Sequence, residues 1–109
     1  MGTTDAKIYI AFCTAPDRTV AESLARALVD ASAAACVNIL DNVTSIYRWQ
    51  GAVQADNEVQ LVIKTTHQKL TSVEEILRKT HPYDVPELIA WPVERGLPED
   101  LAWVIEETK

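Results

Sequence analysis

The sequence predicts an α+β domain: one sheet of four strands, two helices laid on it, and a short third helix near the C-terminus. Three observations carry that expectation. Residues 7–14 and 58–65 sort with period two into strand faces, Ile8, Ile10 and Phe12 on one and Val59, Leu61 and Ile63 on another. Apolar residues recur three and four apart through 20–35 and 70–77, the spacing of one helical face. Proline, glycine, aspartate and asparagine cluster between these runs and punctuate them.

The first strand covers 7–14. Ile8, Ile10 and Phe12 lie on one face and Tyr9, Ala11 and Cys13 on the other, and both faces are largely apolar. Pro16-Asp17-Arg18-Thr19 breaks the run. Asp17 or Thr19 can cap the helix that follows, and Thr19 with Glu22 matches a capping box. Val20, Leu24, Ala27, Leu28, Ala31 and Ala35 form the helix's apolar face, which should run to about Ala33. A second strand begins at 36–39, is interrupted by a bulge or bend at Asp41 and Asn42, and continues through 44–49.

The hairpin turn is expected within 51–57 and a third strand over 58–65, with Val59, Leu61 and Ile63 sharing a face. A second helix spans about 67–80, with Leu70, Val73, Ile76 and Leu77 as its stripe and Pro82 forcing its end. A fourth strand is expected over 85–93, where Pro92 confines the end to an edge or a bulge. Gly96-Leu97-Pro98 then precedes the short helix of Leu101, Val104 and Ile105, with Trp103 beside them and Glu99 and Asp100 at its N-terminus.

The order β-α-β-β-α-β is the ferredoxin-like split βαβ sandwich. Two helices cover one face of such a sheet. Tyr9, Ala11, Cys13 and Val62 are expected on the uncovered side, and an apolar face of that size marks an interface. A homo-oligomer follows.

Length and charge bound the rest. A chain of 109 residues fits a single domain, 1–109, with 1–6 expected as a flexible tail. With 48% hydrophobic and 24% charged residues it should be globular rather than disordered. A net charge of −6 argues against nucleic acid or an anionic membrane as partner. No apolar run is long enough to span a bilayer, and no signal-peptide pattern opens the sequence. The chain therefore reads as cytoplasmic. Cys13 and Cys36 form no C-x-x-C and read as free thiols, small apolar residues on strands.

Residues 81–87, His-Pro-Tyr-Asp-Val-Pro-Glu, concentrate the chemistry. Each proline fixes its own φ and biases the residue before it toward extended geometry. An imidazole, a phenol and two carboxylates thus project from a stiff backbone.

Further stretches fall into register with this one. They are Cys13-Thr14-Ala15-Pro16-Asp17, Ala34-Ala35-Cys36-Val37-Asn38-Ile39, Ser45-Ile46-Tyr47-Arg48-Trp49-Gln50-Gly51 and Glu58-Val59-Gln60-Leu61-Val62-Ile63-Lys64-Thr65. In this order and spacing the chain resembles the CutA family, the divalent-cation tolerance proteins, over about residues 7–105. The resemblance implies a tight homotrimer, its sheets packed around a three-fold axis in a manner similar to the PII signalling proteins. It implies copper binding, metal tolerance and no enzymatic activity, with protein anchoring in some members. The family's copper ligands fall on Cys13 and His81. Some members carry a second histidine directly before the first, and this chain has Thr80 there.

Copper favours thiolate and imidazole. Glu87, Asp84 or a backbone carbonyl would complete a site begun by Cys13 and His81. The plainer reading has His81 satisfying carbonyls at a helix end, and His67 on the surface. Tyr47, Arg48 and Trp49 suit interface packing. The sharper reading joins Tyr47, Arg48, Trp49, Lys64, Tyr83 and Glu87 into an inter-subunit pocket for a small anionic ligand. Glu58 and Lys64 share a strand face and can be a plain charge arrangement.

An enzyme is not expected. The three glycines build no phosphate loop, and neither H-E-x-x-H nor G-x-S-x-G occurs. A Cys13–His81 nucleophile–base pair is chemically conceivable, yet no spacing demands it. RNA recognition on this fold fails for want of the basic-aromatic strand motif and for charge. Two function classes remain. One is a metal-responsive homotrimer binding a divalent metal ion, copper above all. The other is a PII-like signalling or scaffold trimer with a small metabolite or a protein partner.

Overall fold

The element order is β1 (Ile8–Ala15), α1 (Arg18–Asp30), β2 (Cys36–Trp49), β3 (Ala52–Thr66), a 3-10 turn (His67–Lys69), α2 (Leu70–Thr80), β4 (Ile89–Pro92) and α3 (Pro98–Glu107). It comes from a computed structural model that describes residues 7–109. The tail expected over 1–6 lies outside the described residues. The sheet order is β2-β3-β1-β4, and every neighbouring pair is antiparallel. This is the expected ferredoxin-like arrangement.

Helices α1 and α2 lie on one face of the sheet. Ala11, Cys13, Ala15, Val59, Leu61 and Ile63 pack there against Ala21, Leu24, Ala25, Leu28, Val73 and Leu77 in one buried cluster. The expectation for the open face is corrected here. Ala11 and Cys13 are fully buried beneath helices rather than left open. Their small side chains let a helix backbone bearing Ala21 and Ala25 approach closely, so the small-residue side of β1 is the covered side.

The other face carries Ile10, Phe12 and Val62, half-buried, with Leu40, Ile89 and Trp91 exposed beside them. Cross-strand registers place Phe12 opposite Val62 and Ile89, and Ile10 opposite Trp91. Phe12 and Trp91 meet edge to face at 4.8 Å, a favourable aromatic geometry. At one end of this face α3 supplies a lid: Val104 buries with Ile8 and Ala35, and Leu101 and Ile105 pack against them.

Several boundaries differ from those expected, each for a local reason. Asp17 is the cap of α1, its carboxylate accepting from the Val20 N–H at 2.9 Å. Glu22 pairs with Arg18 at 3.1 Å instead of closing a capping box on Thr19. The helix ends at Asp30, short of Ala33, because Ser32 turns left-handed at φ 57. The Ala33 N–H then reaches the Leu28 carbonyl and the Ser32 N–H the Val29 carbonyl, the paired bonds of a Schellman ending.

The hairpin turn is Gln50-Gly51, with φ 51 and 84, and not a loop within 51–57. Those residues are strand, paired from Ala52 with Trp49 to Asn57 with Thr44. Two successive left-handed residues match the strand twist, so a two-residue turn suffices. The bulge expected at Asp41 and Asn42 is present, between Leu40 and Val43, with Asn42 at φ 62. The fourth strand is only Ile89–Pro92, shorter than the expected 85–93. Pro86 has no N–H to give to a ladder, and residues 81–88 leave the sheet as a strap.

Strand β1 stops at Ala15 opposite Val59. Residues 43–49 and 52–58 therefore project beyond the body as a two-stranded arm. The described residues extend 51 × 25 × 22 Å, drawn out along one axis.

Candidate functional site

The strap and the arm meet at the end of β1, and His81 is where they are fastened. Helix α2 ends at Thr80, and His81 takes extended geometry at φ −76, ψ 136, as the following proline requires. Its ring is buried. Nε2 lies 2.8 Å from the Thr14 carbonyl oxygen. The Tyr83 N–H donates to Nδ1 at 3.1 Å. A carbonyl only accepts, so Nε2 carries the proton and Nδ1 does not. Tyr83 sets its ring at a tilt of 50° and 4.7 Å from that of His81 and donates its hydroxyl to Glu58 Oε2 at 2.6 Å. Glu58 is itself buried, on the arm. Thus one strand end, one strap and one arm are tied by three side-chain hydrogen bonds.

Cys13 converges on the same point. Its thiol donates to the Thr14 carbonyl at 3.6 Å, within the fully buried core. Burial, and then the charges of Glu87 and Glu58, push the thiol up to about 12. Sequence reasoning paired Cys13 with His81, and the fold brings both to one oxygen atom. Each arrives as a donor, whereas a cation requires ligands presenting lone pairs. The Thr80 hydroxyl, at the position of the second histidine of some relatives, donates back to the Ile76 carbonyl at 2.6 Å. Among the described residues, no three His, Cys, Asp or Glu side chains gather where they could hold a metal ion. In this arrangement the pair does not fit a copper centre.

Between the arm and the strap lies a groove of about 610 Å³. Tyr47, Trp49, Tyr83 and Glu87, singled out from the sequence, all line it. Arg48 and Lys64 do not. Arg48 is one residue out of phase with Tyr47 and Trp49 along β2. Lys64 stands opposite Ile10 and Cys36, about 20 Å along β3 from Glu58. The lining also includes Thr14, Ser45, Glu58 and Asp84. Asp84 was visible in the heptapeptide; Glu58 was noticed only as a neighbour of Lys64. Its role becomes legible once the pairing of Thr44 with Asn57 and Val43 with Glu58 sets the arm beside the strap.

The groove's charge is of one sign. Glu58, Asp84 and Glu87 line it, and none is in an ion pair among the described residues. Tyr47 donates its hydroxyl to Asp56 on the facing strand. That bond raises the Tyr47 phenol above its ordinary range. Burial and then the Glu58 hydrogen bond hold the Tyr83 phenol well above it.

The comparisons with known proteins agree with this architecture. The family model described as CutA1 divalent ion tolerance protein matches residues 9–107. The chain is 44% identical over 99 residues to the divalent-cation tolerance protein CutA of Thermus thermophilus, covering 91% of this chain and 96% of that one. It is 47% identical over 94 residues to the CutA homolog of Xenopus laevis, covering 86% of this chain and 62% of that one. The chain thus spans about three-fifths of the length of the vertebrate relatives it matches. Among solved structures, the divalent cation tolerance protein of Thermus thermophilus superposes with a TM-score of 0.91 at 43% identity, covering 94% of this chain and 99% of that one. With the family's pattern running from the first strand to the last helix, the chain belongs to the CutA1 divalent ion tolerance family.

Proposed function

We propose that this chain serves divalent-cation tolerance as a homotrimer, its open sheet face and free strand edges buried against further copies. The observation that carries the reading is that open face. Phe12, Val62, Leu40, Ile89 and Trp91 leave apolar side chains half-buried or exposed on this face, while the opposite face of the same strands carries the buried core. A face of this kind is costly to leave in water and is the mark of an interface. The number three comes from the family resemblance.

Copper is the finer form of the reading. A copper ion on Cys13 and His81 requires the thiol to give up a proton held with a pKa of about 12. It also requires a ring nitrogen of His81 to leave Thr14 or Tyr83. The pair already satisfies its own hydrogen bonds, so we assign it to structure and place the tolerance role in the assembled molecule. No catalytic step is assigned to it.

Light scattering at micromolar concentration tests the assembly. The expected mass is about three times the 12.1 kDa of the chain; a monomer overturns the reading. Copper titration of wild type and Cys13→Ser in the same preparations tests the assignment of the pair. Equal affinities are expected, and a loss of more than about tenfold in the variant would return Cys13 to the role of ligand.

A further inference from the structure

The groove between arm and strap has a chemistry that neither the fold nor the family's description uses. We propose that it binds a free organic cation, an alkylammonium or guanidinium group carried on an apolar body. Three features of the groove point to that class.

Its size comes first. At about 610 Å³ it lies in the range of small-molecule sites, well beyond what one ion or one water fills.

Its charge comes second. Glu58, Asp84 and Glu87 line it, no lysine or arginine does, and none of the three is in an ion pair among the described residues. An anionic ligand would be repelled by all three and meet no cationic side chain. The same charges bear on neighbouring groups: Glu87 and Glu58 act to raise the Cys13 thiol, and Glu58 and Asp56 to raise the Tyr83 phenol, each after burial.

Its walls come third. Tyr47, Trp49 and Tyr83 supply aromatic surface, which attracts cations through the negative ring faces. Trp49 and Tyr47 are 43% and 41% exposed, enough to contact a ligand without first unpacking.

The distribution of the acids decides between an organic cation and a metal ion. A bare divalent ion needs several oxygens gathered at about 2–2.6 Å from one point. Among the described residues no such group of three side chains exists. The carboxylates are instead spread along the groove, with aromatic and aliphatic surface such as Val85 between them. A cation with an apolar body uses both. The side chains also differ in readiness. Glu58 is committed to Tyr83, whereas Asp84 and Glu87 are exposed. They are the groups left to meet the ligand's charge. The inference requires the groove to stay open in the assembled molecule, and its experiment fails separately from the mass measurement and the copper titration.

Titration calorimetry on the full chain tests it, with phenethylammonium and spermidine as cationic probes. 2-Phenylethanol serves as the neutral probe, phenylacetate as the anionic one and Mg2+ alone as the metal. The cations are expected to bind, more weakly as salt is raised, and the other three not to. Glu87→Gln and Asp84→Asn remove charge at exposed positions and should each weaken the cations about three- to tenfold. Trp49→Leu should weaken them about two- to fivefold. Lys64→Gln, outside the groove, should change nothing.

Binding of the neutral probe as tight as that of phenethylammonium overturns the proposal, leaving an apolar slot. Binding of Mg2+ that Glu87→Gln abolishes, with no organic cation bound, replaces it with a metal site. No binding of any cation at millimolar concentration overturns it as well, and if Glu87→Gln then shifts the oligomeric state the groove is a contact between copies.

Discussion

The two faces of the sheet are built from the same strands and differ most clearly along β1, in the size of what that strand carries on each. The covered face presents Ala11, Cys13 and Ala15 from β1 and meets Ala21 and Ala25 from α1. The open face presents Ile10, Phe12, Val62, Leu40, Ile89 and Trp91. Along β1 both are apolar, so hydrophobicity alone does not say which one a helix covers. Along β1 residue size does: small side chains stand where the α1 backbone comes close, and Leu61 and Ile63 of β3 fill the space beside them. A helix closes the first face within the chain, and the second remains as a surface whose burial depends on another molecule.

The largest expected effect separates the faces directly. Leu28 is fully buried on the covered side, and Leu28→Ala should cost about 2–5 kcal/mol of unfolding free energy. Trp91, 42% exposed at the open face, should behave otherwise. Trp91→Ser removes surface that only association buries, so its cost should grow as association contributes more to stability. Urea denaturation of both variants and wild type at two protein concentrations, about tenfold apart, reads the difference. The Leu28→Ala penalty should be the same at both and the Trp91→Ser penalty should not. The reverse pattern would break the distinction between a core face and an association face.

How far this was legible in the sequence follows from the same distinction. Strand and helix periods gave the six principal elements and their order, because burial on one side imposes period two or 3.6 on the chain. The bulge at Asp41 and Asn42 was legible because those residue types tolerate the left-handed geometry found at Asn42, φ 62. Which face was open was not legible, since alternation marks two faces without naming the partner of either. The arm was missed for a related reason. Ala52, Gln54, Asp56 and Asn57 are poor strand formers, and their extended state rests on pairing with residues 44–49. At the site, His81 and Cys13 were found by residue type and brought together by the fold. Their protons were invisible to the sequence, because the tautomer of His81 depends on the Thr14 carbonyl and the Tyr83 N–H.

The two cysteines offer an intermediate test. Cys13 lies on the covered face and Cys36 at the start of β2, only partly buried. Burial, and then the charges of Glu87 and Glu58, push the Cys13 thiol from an ordinary 9.0 up to about 12. Between those values the unfolded chain binds fewer protons at this group than the folded one. Stability is therefore unaffected below about pH 9 and falls as pH rises through the window. The loss attributable to Cys13 should be roughly 1 kcal/mol by about pH 10. Cys13→Ala should abolish that slope, measured by urea denaturation across the range. Thiol labelling of the native protein at about pH 8 gives the second readout: Cys36 should react and Cys13 should wait for unfolding. Equal labelling rates would place Cys13 within reach of solvent and undo the account of the covered face.

The smallest effect concerns how α1 leaves the covered face. Thr65, in phase with Ile63 and Leu61, donates its buried hydroxyl to the Ala33 carbonyl at 2.6 Å. That bond sets the exit of α1 onto the sheet, and Ser32 makes the turn that reaches it, at φ 57. A residue with a Cβ is strained there, whereas glycine is not. Ser32→Gly therefore relieves strain in the native state, but it also frees the unfolded chain. The two effects oppose, and relief is the larger where φ is positive. The net gain should be about 0.5–1 kcal/mol. The gain should persist in a Thr65→Val background if the turn is strained on its own account. It should vanish there if the Thr65 bond is what forces Ser32 into the left-handed region. A double-mutant cycle measured by denaturation tells the two apart. The Schellman bonds from Ser32 and Ala33 back to Val29 and Leu28 close the turn without Thr65, so persistence is the expected result.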